Sequence, residues 1–216
     1  MTERWRKRTR KSFGRIIVDF ERWWPEAGGA ELDAFRRLET LREVVEYAGF
    51  GRIPPGSKHS HMRRRNDERT LRPCQETLLA HLDDLQEAAT FKDLHNTVAR
   101  LIGYIWDAGS LTIYDMARWI GAWLGLEPKE IYLHQGTEEG AKAMGIQLGP
   151  KQSALHRTEL PSEFWGLSCG QLEDLLCHYK DALRRAVDGE KVKFIKTGSE
   201  IPSTALHVLS TPSPRC

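Results

Sequence analysis

Residues 102–125 read IGYIWDAGSLTIYDMARWIGAWLG, two helical patterns separated by a stretch too short for anything but a reversal of the chain. Only Trp106 to Ser110 are available to turn, so the expected unit is a helix, a hairpin and a second helix, with the hairpin and second helix spanning about residues 105–126. The second helix is expected over Leu111 to Leu124, and Gly125 and Pro128 supply the usual stop chemistry after it. Gly109 falls immediately before that helix. A glycine there leaves the first backbone N–H groups unobstructed at the positive end of the helix dipole, an arrangement suited to a phosphate.

Apolar residues at helical spacing extend the pattern in both directions. Leu32, Phe35, Leu38, Leu41, Val44, Val45 and Ala48 predict one helix over Glu31 to Tyr47, after the start signal Gly28–Gly29. Pro73 suits the first turn of a helix carrying Leu78, Leu79, Leu82, Leu85 and Ala89, and Phe91 to Tyr104 predicts the next. Thr137 is expected to cap a short helix through Met144, and Ser168 to cap one over Gln171 to Val187. Gly49 to Arg72, with Gly51, Pro54, Pro55 and Gly56 followed by KHSHMRRRNDER, predicts a long polar loop. The expected class is therefore mainly α, a multi-helix domain over 23–190. A basic arm precedes it at 1–22, with Arg4, Arg6, Lys7, Arg8, Arg10, Lys11 and Arg15, and a flexible tail follows at 191–216. Within the tail, Val192, Phe194 and Ile195 suggest a short strand, and the Ser, Thr and Pro of 203–216 suggest disorder.

Composition narrows the class. The chain has 216 residues, enough to bury a core without staples, and 29% charged against 40% hydrophobic residues, ordinary for a soluble protein. No apolar run approaches the roughly 20 residues that span a bilayer, and no h-region follows the basic N-terminus, so neither a membrane protein nor a secreted one is expected. Cys74, Cys169, Cys177 and Cys216 form no C-x-x-C pair, which fits reduced thiols in a cytoplasm, where association with the nucleoid would follow from DNA binding. Net charge is only +2, but its basic part is clustered, and clustering decides where a polyanion is drawn. Dinucleotide and P-loop patterns are absent, since GTEEG at 136–140 lacks the Lys-Ser/Thr ending, and no cofactor is expected.

On Ile105, Ala108, Gly109, Leu111 and Thr112, the hairpin resembles the helix-hairpin-helix element of the base-excision DNA glycosylase superfamily. That resemblance implies a DNA-glycosylase-like helical fold, double-stranded DNA as partner, and hydrolysis of the N-glycosidic bond of a damaged or modified base. Ala108, Gly109, Ser110 and Thr112 would then meet the phosphate backbone, with His59, His61, Arg63, Arg64 and Arg65 adding affinity from the loop. Two departures stand out. Asp107 occupies the place of the first hairpin glycine, and the region about twenty residues downstream, where the superfamily keeps its catalytic aspartate, has none. Candidate acids are instead Asp115, Glu138 and Glu139, with His134 beside them, while Tyr132 and Gln135 could read a flipped base. Leu111 stands where a Schiff-base lysine would be, favouring simple hydrolysis over lyase chemistry.

Each feature has a plainer reading. Asp115 in the early helix complements the dipole, YLHQGT at 132–137 works as a helix-to-helix turn, and Trp119 and Trp123 belong in a core. His59-x-His61 lacks a third and fourth ligand at compatible spacing, so no metal site is expected. The alternative to an enzyme is a non-catalytic helical module that binds DNA or another protein.

Overall fold

The computed structural model describes the backbone of residues 3–192 and the side chains from Thr9 onward. The side chains of Arg4, Arg6, Lys7 and Arg8, the strand expected around Phe194 and Ile195, Cys216 and the tail from 193 lie outside the described residues. Helices dominate, in the order α1 (Glu3–Trp23), α2 (Gly28–Arg36), α3 (Leu41–Gly49), α4 (Arg72–Leu79), α5 (Leu82–Gln86), α6 (Phe91–Ile102), α7 (Ser110–Leu124), α8 (Gln135–Ala143), α9 (Cys169–His178) and α10 (Lys180–Val187). Among the described residues four two-residue strands form two small antiparallel pairs, β1 (Arg52–Ile53) with β2 (Ser57–Lys58) and β3 (Ile131–Tyr132) with β4 (Ala154–Leu155). Among the described residues no helix is long and apolar enough to cross a membrane.

The chain divides into two compact units. Among the described residues, one unit joins the N-terminal helix to residues 128–192, and the other is Pro25–Glu127. In the first, the stretch expected to be a basic arm is the 21-residue helix α1. Phe13, Ile16, Phe20 and Trp23 recur on one face and are buried, Phe13 against Phe164 at 5.1 Å and Phe20 edge-on to Tyr179 at 5.9 Å. Density of basic residues masked this stripe in the sequence, although its three- and four-residue spacing is legible once sought. Tyr179 Oη donates to Asp19 at 2.8 Å, and Trp24 Nε1 donates to Asp174 at 2.7 Å, so α1 is tied to the C-terminal helices by polar contacts as well. Burial and the Asp19 bond both hold the Tyr179 phenol well above its ordinary range.

Helix ends explain where the sequence reading ran elements together. The single helix expected over 31–47 breaks after Arg36, because Thr40 accepts from the Glu43 N–H and starts α3 afresh. A second break at Ala80–His81 divides the Pro73–Ala89 pattern into α4 and α5, and Tyr179 separates α9 from α10. Ser168 caps α9 as expected, in a reciprocal box with Gln171. The cap of α8 is His134 instead of Thr137: His134 Nδ1 accepts from Gly136 N at 3.2 Å, while Thr137 Oγ1 accepts from the His134 N–H.

The 49–72 segment, expected as a loop, is largely organised. It holds the β1–β2 hairpin, a 3₁₀ helix over Ser60–Arg64 and a π-helical turn over Asp67–Leu71. Met62 is its anchor, fully buried and seated against Gly51, whose φ of 62° and missing Cβ allow the approach. Trp119 is internal, as the plainer reading has it, and stacks on Phe35 at 5.4 Å, whereas Trp123 is half-buried and donates from Nε1 to the Leu38 carbonyl at 2.9 Å.

Cys74 on α4 is fully buried, and burial pushes its thiol up to about 12. At pH 8 it is protonated and shielded. Iodoacetamide is therefore expected to leave Cys74 unlabelled in the native protein and to modify it in urea, as peptide mass mapping would read; rapid native labelling would contradict this packing.

Candidate functional site

Everything the sequence reading placed at the hairpin lies in the Pro25–Glu127 unit. α6 ends at Ile102, and residues 103–109 reverse the chain into α7. Gly109 is the N-cap, in extended conformation with φ −78°, and offers no side chain to cap the helix; nothing lies within 4 Å of where a Cβ would be. Ser110 is exposed beside it, whereas Ala108 is buried at the base of the turn. Two large aromatics stand out in solvent on the same reversal, Tyr104 at 76% and Trp106 at 64% exposure.

Asp107 has a φ of 63°, in the left-handed region that favours glycine and that aspartate tolerates better than most residues. The backbone thus keeps a glycine-like conformation at this position without the glycine. Its carboxylate accepts from Arg65 Nη1 at 2.8 Å, and Arg65 Nε donates to Thr112 Oγ1 at 3.2 Å. Arg65 and Thr112, both assigned to phosphate from sequence, are therefore engaged with each other and with Asp107, and Thr112 is fully buried. Arg65 works as a clamp between the 49–72 segment and the hairpin. Arg63 and Arg64, directly before it, are exposed.

The same segment brings His59 and His61 onto α7. His61 Nδ1 lies 3.1 Å from Asp115 Oδ2, and His59 Nδ1 lies 4.0 Å from the same oxygen. The two rings meet edge to face at 4.6 Å, and His59 also packs edge-on against Trp119 at 5.3 Å. On its far side, His59 Nε2 lies 3.3 Å from Glu31 Oε2, and Trp119 Nε1 donates to the other Glu31 oxygen at 2.6 Å. Asp115 is 8% exposed, and its partners here are ring nitrogens, so it does more than complement a helix dipole. Glu31 was not among the sequence candidates. It sits 28 residues from His59 in a helix whose pattern signals only a core face, and no local spacing marks it.

The remaining candidates belong to the other unit and are occupied there. His134 is 2% exposed, with Nε2 2.5 Å from Glu173 Oε1. Because its Nδ1 accepts from Gly136, the Nε2 proton points at the Glu173 carboxylate, and the ring is a structural cap. Glu138 accepts from Lys142 at 3.0 Å and Glu139 from Lys180 at 2.5 Å, the latter bond holding Glu139 below its ordinary carboxylate range. Gln135 donates to Glu139 on the surface. Tyr132, expected to stack on a base, is 9% exposed in β3 and buried in its own unit. Tyr132, His134, Gln135, Glu138 and Glu139 thus all lie in the unit that holds α8 and α9, and not in the unit of the hairpin.

No family model, curated protein or solved structure matches this chain.

Proposed function

We propose that this chain binds double-stranded DNA through the reversal between α6 and α7, with the N-terminus of α7 against a phosphate and the exposed aromatics against the groove. The observation that carries this reading is the exposure of Tyr104 and Trp106 beside the open N-terminus at Gly109. Indole and phenol rings held out in water cost apolar hydration unless a partner covers them, and wedge or stacking contacts with bases are one such cover. Arg63 and Arg64 supply cationic side chains from the adjoining segment. Arg65 does not join them, since Asp107 already neutralises it.

In a salt titration with a short fluorescent duplex, affinity is expected to fall steeply as salt rises. Trp106→Ala is expected to weaken binding about tenfold or more, the equivalent of about 1–3 kcal/mol per stacked base. Arg63→Ala and Arg64→Ala are each expected to lower the salt slope by about 1. No detectable binding at low salt would end this reading and leave the aromatic pair as a protein-docking surface. Glycosidic hydrolysis is the finer proposal. It would depend on Asp115, the one candidate acid near the hairpin, so base release from modified duplexes is expected to vanish in Asp115→Asn.

A further inference from the structure

The cluster on α7 has a chemistry that DNA binding does not use. Among the described residues, His59, His61 and Asp115 offer three ligand atoms within 4.8 Å of one another. They come from two elements far apart in sequence, the 3₁₀ helix Ser60–Arg64 with its N-cap His59, and α7. All three are largely screened from water, with side-chain exposures of 15%, 26% and 10%.

We propose that His59, His61 and Asp115 form a binding site for a divalent transition-metal ion, with Zn²⁺ as its representative. Two imidazoles and a carboxylate are borderline donors that suit zinc and its neighbours better than Mg²⁺, which prefers oxygen ligands in an octahedron. Tetrahedral zinc with bonds of about 2.0–2.1 Å spaces its ligands about 3.3 Å apart. The His61–Asp115 separation of 3.1 Å already matches, and His59 Nδ1, 4.0 Å from the same carboxylate oxygen, would exchange the long bond it accepts from the His61 N–H at 3.4 Å for the ion.

A second, independent feature agrees. Metal-binding histidines commonly donate their other ring N–H to a carboxylate, which fixes the tautomer and aims the lone pair at the ion. His59 turns Nε2 to Glu31 and Nδ1 toward Asp115, and Trp119 Nε1 holds Glu31 in place at 2.6 Å. Glu31 is thus a positioning residue, and its anchor Trp119 is 1% exposed and stacked on Phe35, so the carboxylate rests on rigid core. Three protein ligands leave a fourth position for water, the pattern of an exchangeable site in contrast to a closed structural one.

The test is calorimetric titration of the full chain, stripped with chelator, with Zn²⁺ and with Mg²⁺. One Zn²⁺ per chain is expected and no Mg²⁺ response. His61→Ala and Asp115→Asn are each expected to weaken Zn²⁺ binding at least tenfold, and Glu31→Gln about tenfold, the loss typical of an outer carboxylate. Substituted Co²⁺ should show the intense visible bands of a tetrahedral site, lost in the same variants. Asp115→Asn conserves shape, and His61 is a quarter exposed, so circular dichroism is expected to show both variants folded. Absence of Zn²⁺ binding, or binding unchanged in His61→Ala and Asp115→Asn, overturns the site. The titration contains no DNA, so its failure leaves the hairpin reading standing, and a failure of duplex binding leaves the metal site standing.

Discussion

Replacing His134 with alanine is expected to destabilise the protein by about 3 kcal/mol, because the buried Glu173 carboxylate loses the hydrogen bond that His134 Nε2–H donates to it. His134 and Glu173 have side-chain exposures of 2% and 4%, and the carboxylate left behind loses the imidazole 2.5 Å away. The same substitution removes the N-cap of α8, a further contribution of about 1 kcal/mol. Urea unfolding would read the loss as a lower midpoint at unchanged slope. Glu173→Gln keeps an acceptor of the same shape and removes the charge, so it is expected to cost less, about 1–2 kcal/mol. In a double-mutant cycle, His134→Ala and Glu173→Ala together should cost clearly less than their sum, because each removes the same interaction. Additive losses would show that the two side chains are not coupled.

Gly140→Ala is expected to be nearly as damaging, at about 3 kcal/mol, the upper end of the cost of overpacking. α8 crosses α9 so closely that a Cβ at Gly140 would lie 2.1 Å from the Leu176 carbonyl oxygen and 2.7 Å from its carbon. A backbone carbonyl cannot rotate aside, so the helices must part, and the gain in helix propensity of about 1 kcal/mol from glycine to alanine does not offset that. Gly14 on α1 is the control. Nothing lies within 4 Å of its would-be Cβ, so Gly14→Ala should stabilise by roughly 0.5–1 kcal/mol. Thermal denaturation of the two variants reads the contrast. At roughly 2–4 °C per kcal/mol for a chain of this size, Gly140→Ala should lower Tm by roughly 10 °C while Gly14→Ala raises it slightly. Two shifts of the same sign would mean that the close approach of α8 and α9 is not what the glycine serves.

Much of the helical content was legible because it rests on local chemistry. Leu94, Val98, Leu101 and Ile102 announce α6 by their spacing, and Gly125, with its left-handed φ of 72°, closes α7 where a glycine was expected to. Ser168 is a cap whose chemistry acts within three residues. The α1 helix was hidden only by its charge, since Phe13, Ile16 and Phe20 carry the period among arginines and lysines. Breaks such as those at Arg37 and Tyr179 were harder to see, because an apolar stripe runs through them in phase while the backbone does not.

The candidate site divides along the same line. By itself the sequence determined the helical class, which rests on apolar spacing and caps a few residues apart. Tertiary structure alone decided what the charged residues of the candidate site do. Asp107 looked hostile to phosphate until folding set Arg65 against it, and His59 and His61 lacked further ligands until the chain laid them on Asp115 and Glu31. Those pairings join residues 28 to 56 positions apart. Side chains that meet only through packing leave no period and no spacing in the sequence, because what brings them together is the burial of Met62, Phe35 and Trp119 beneath them.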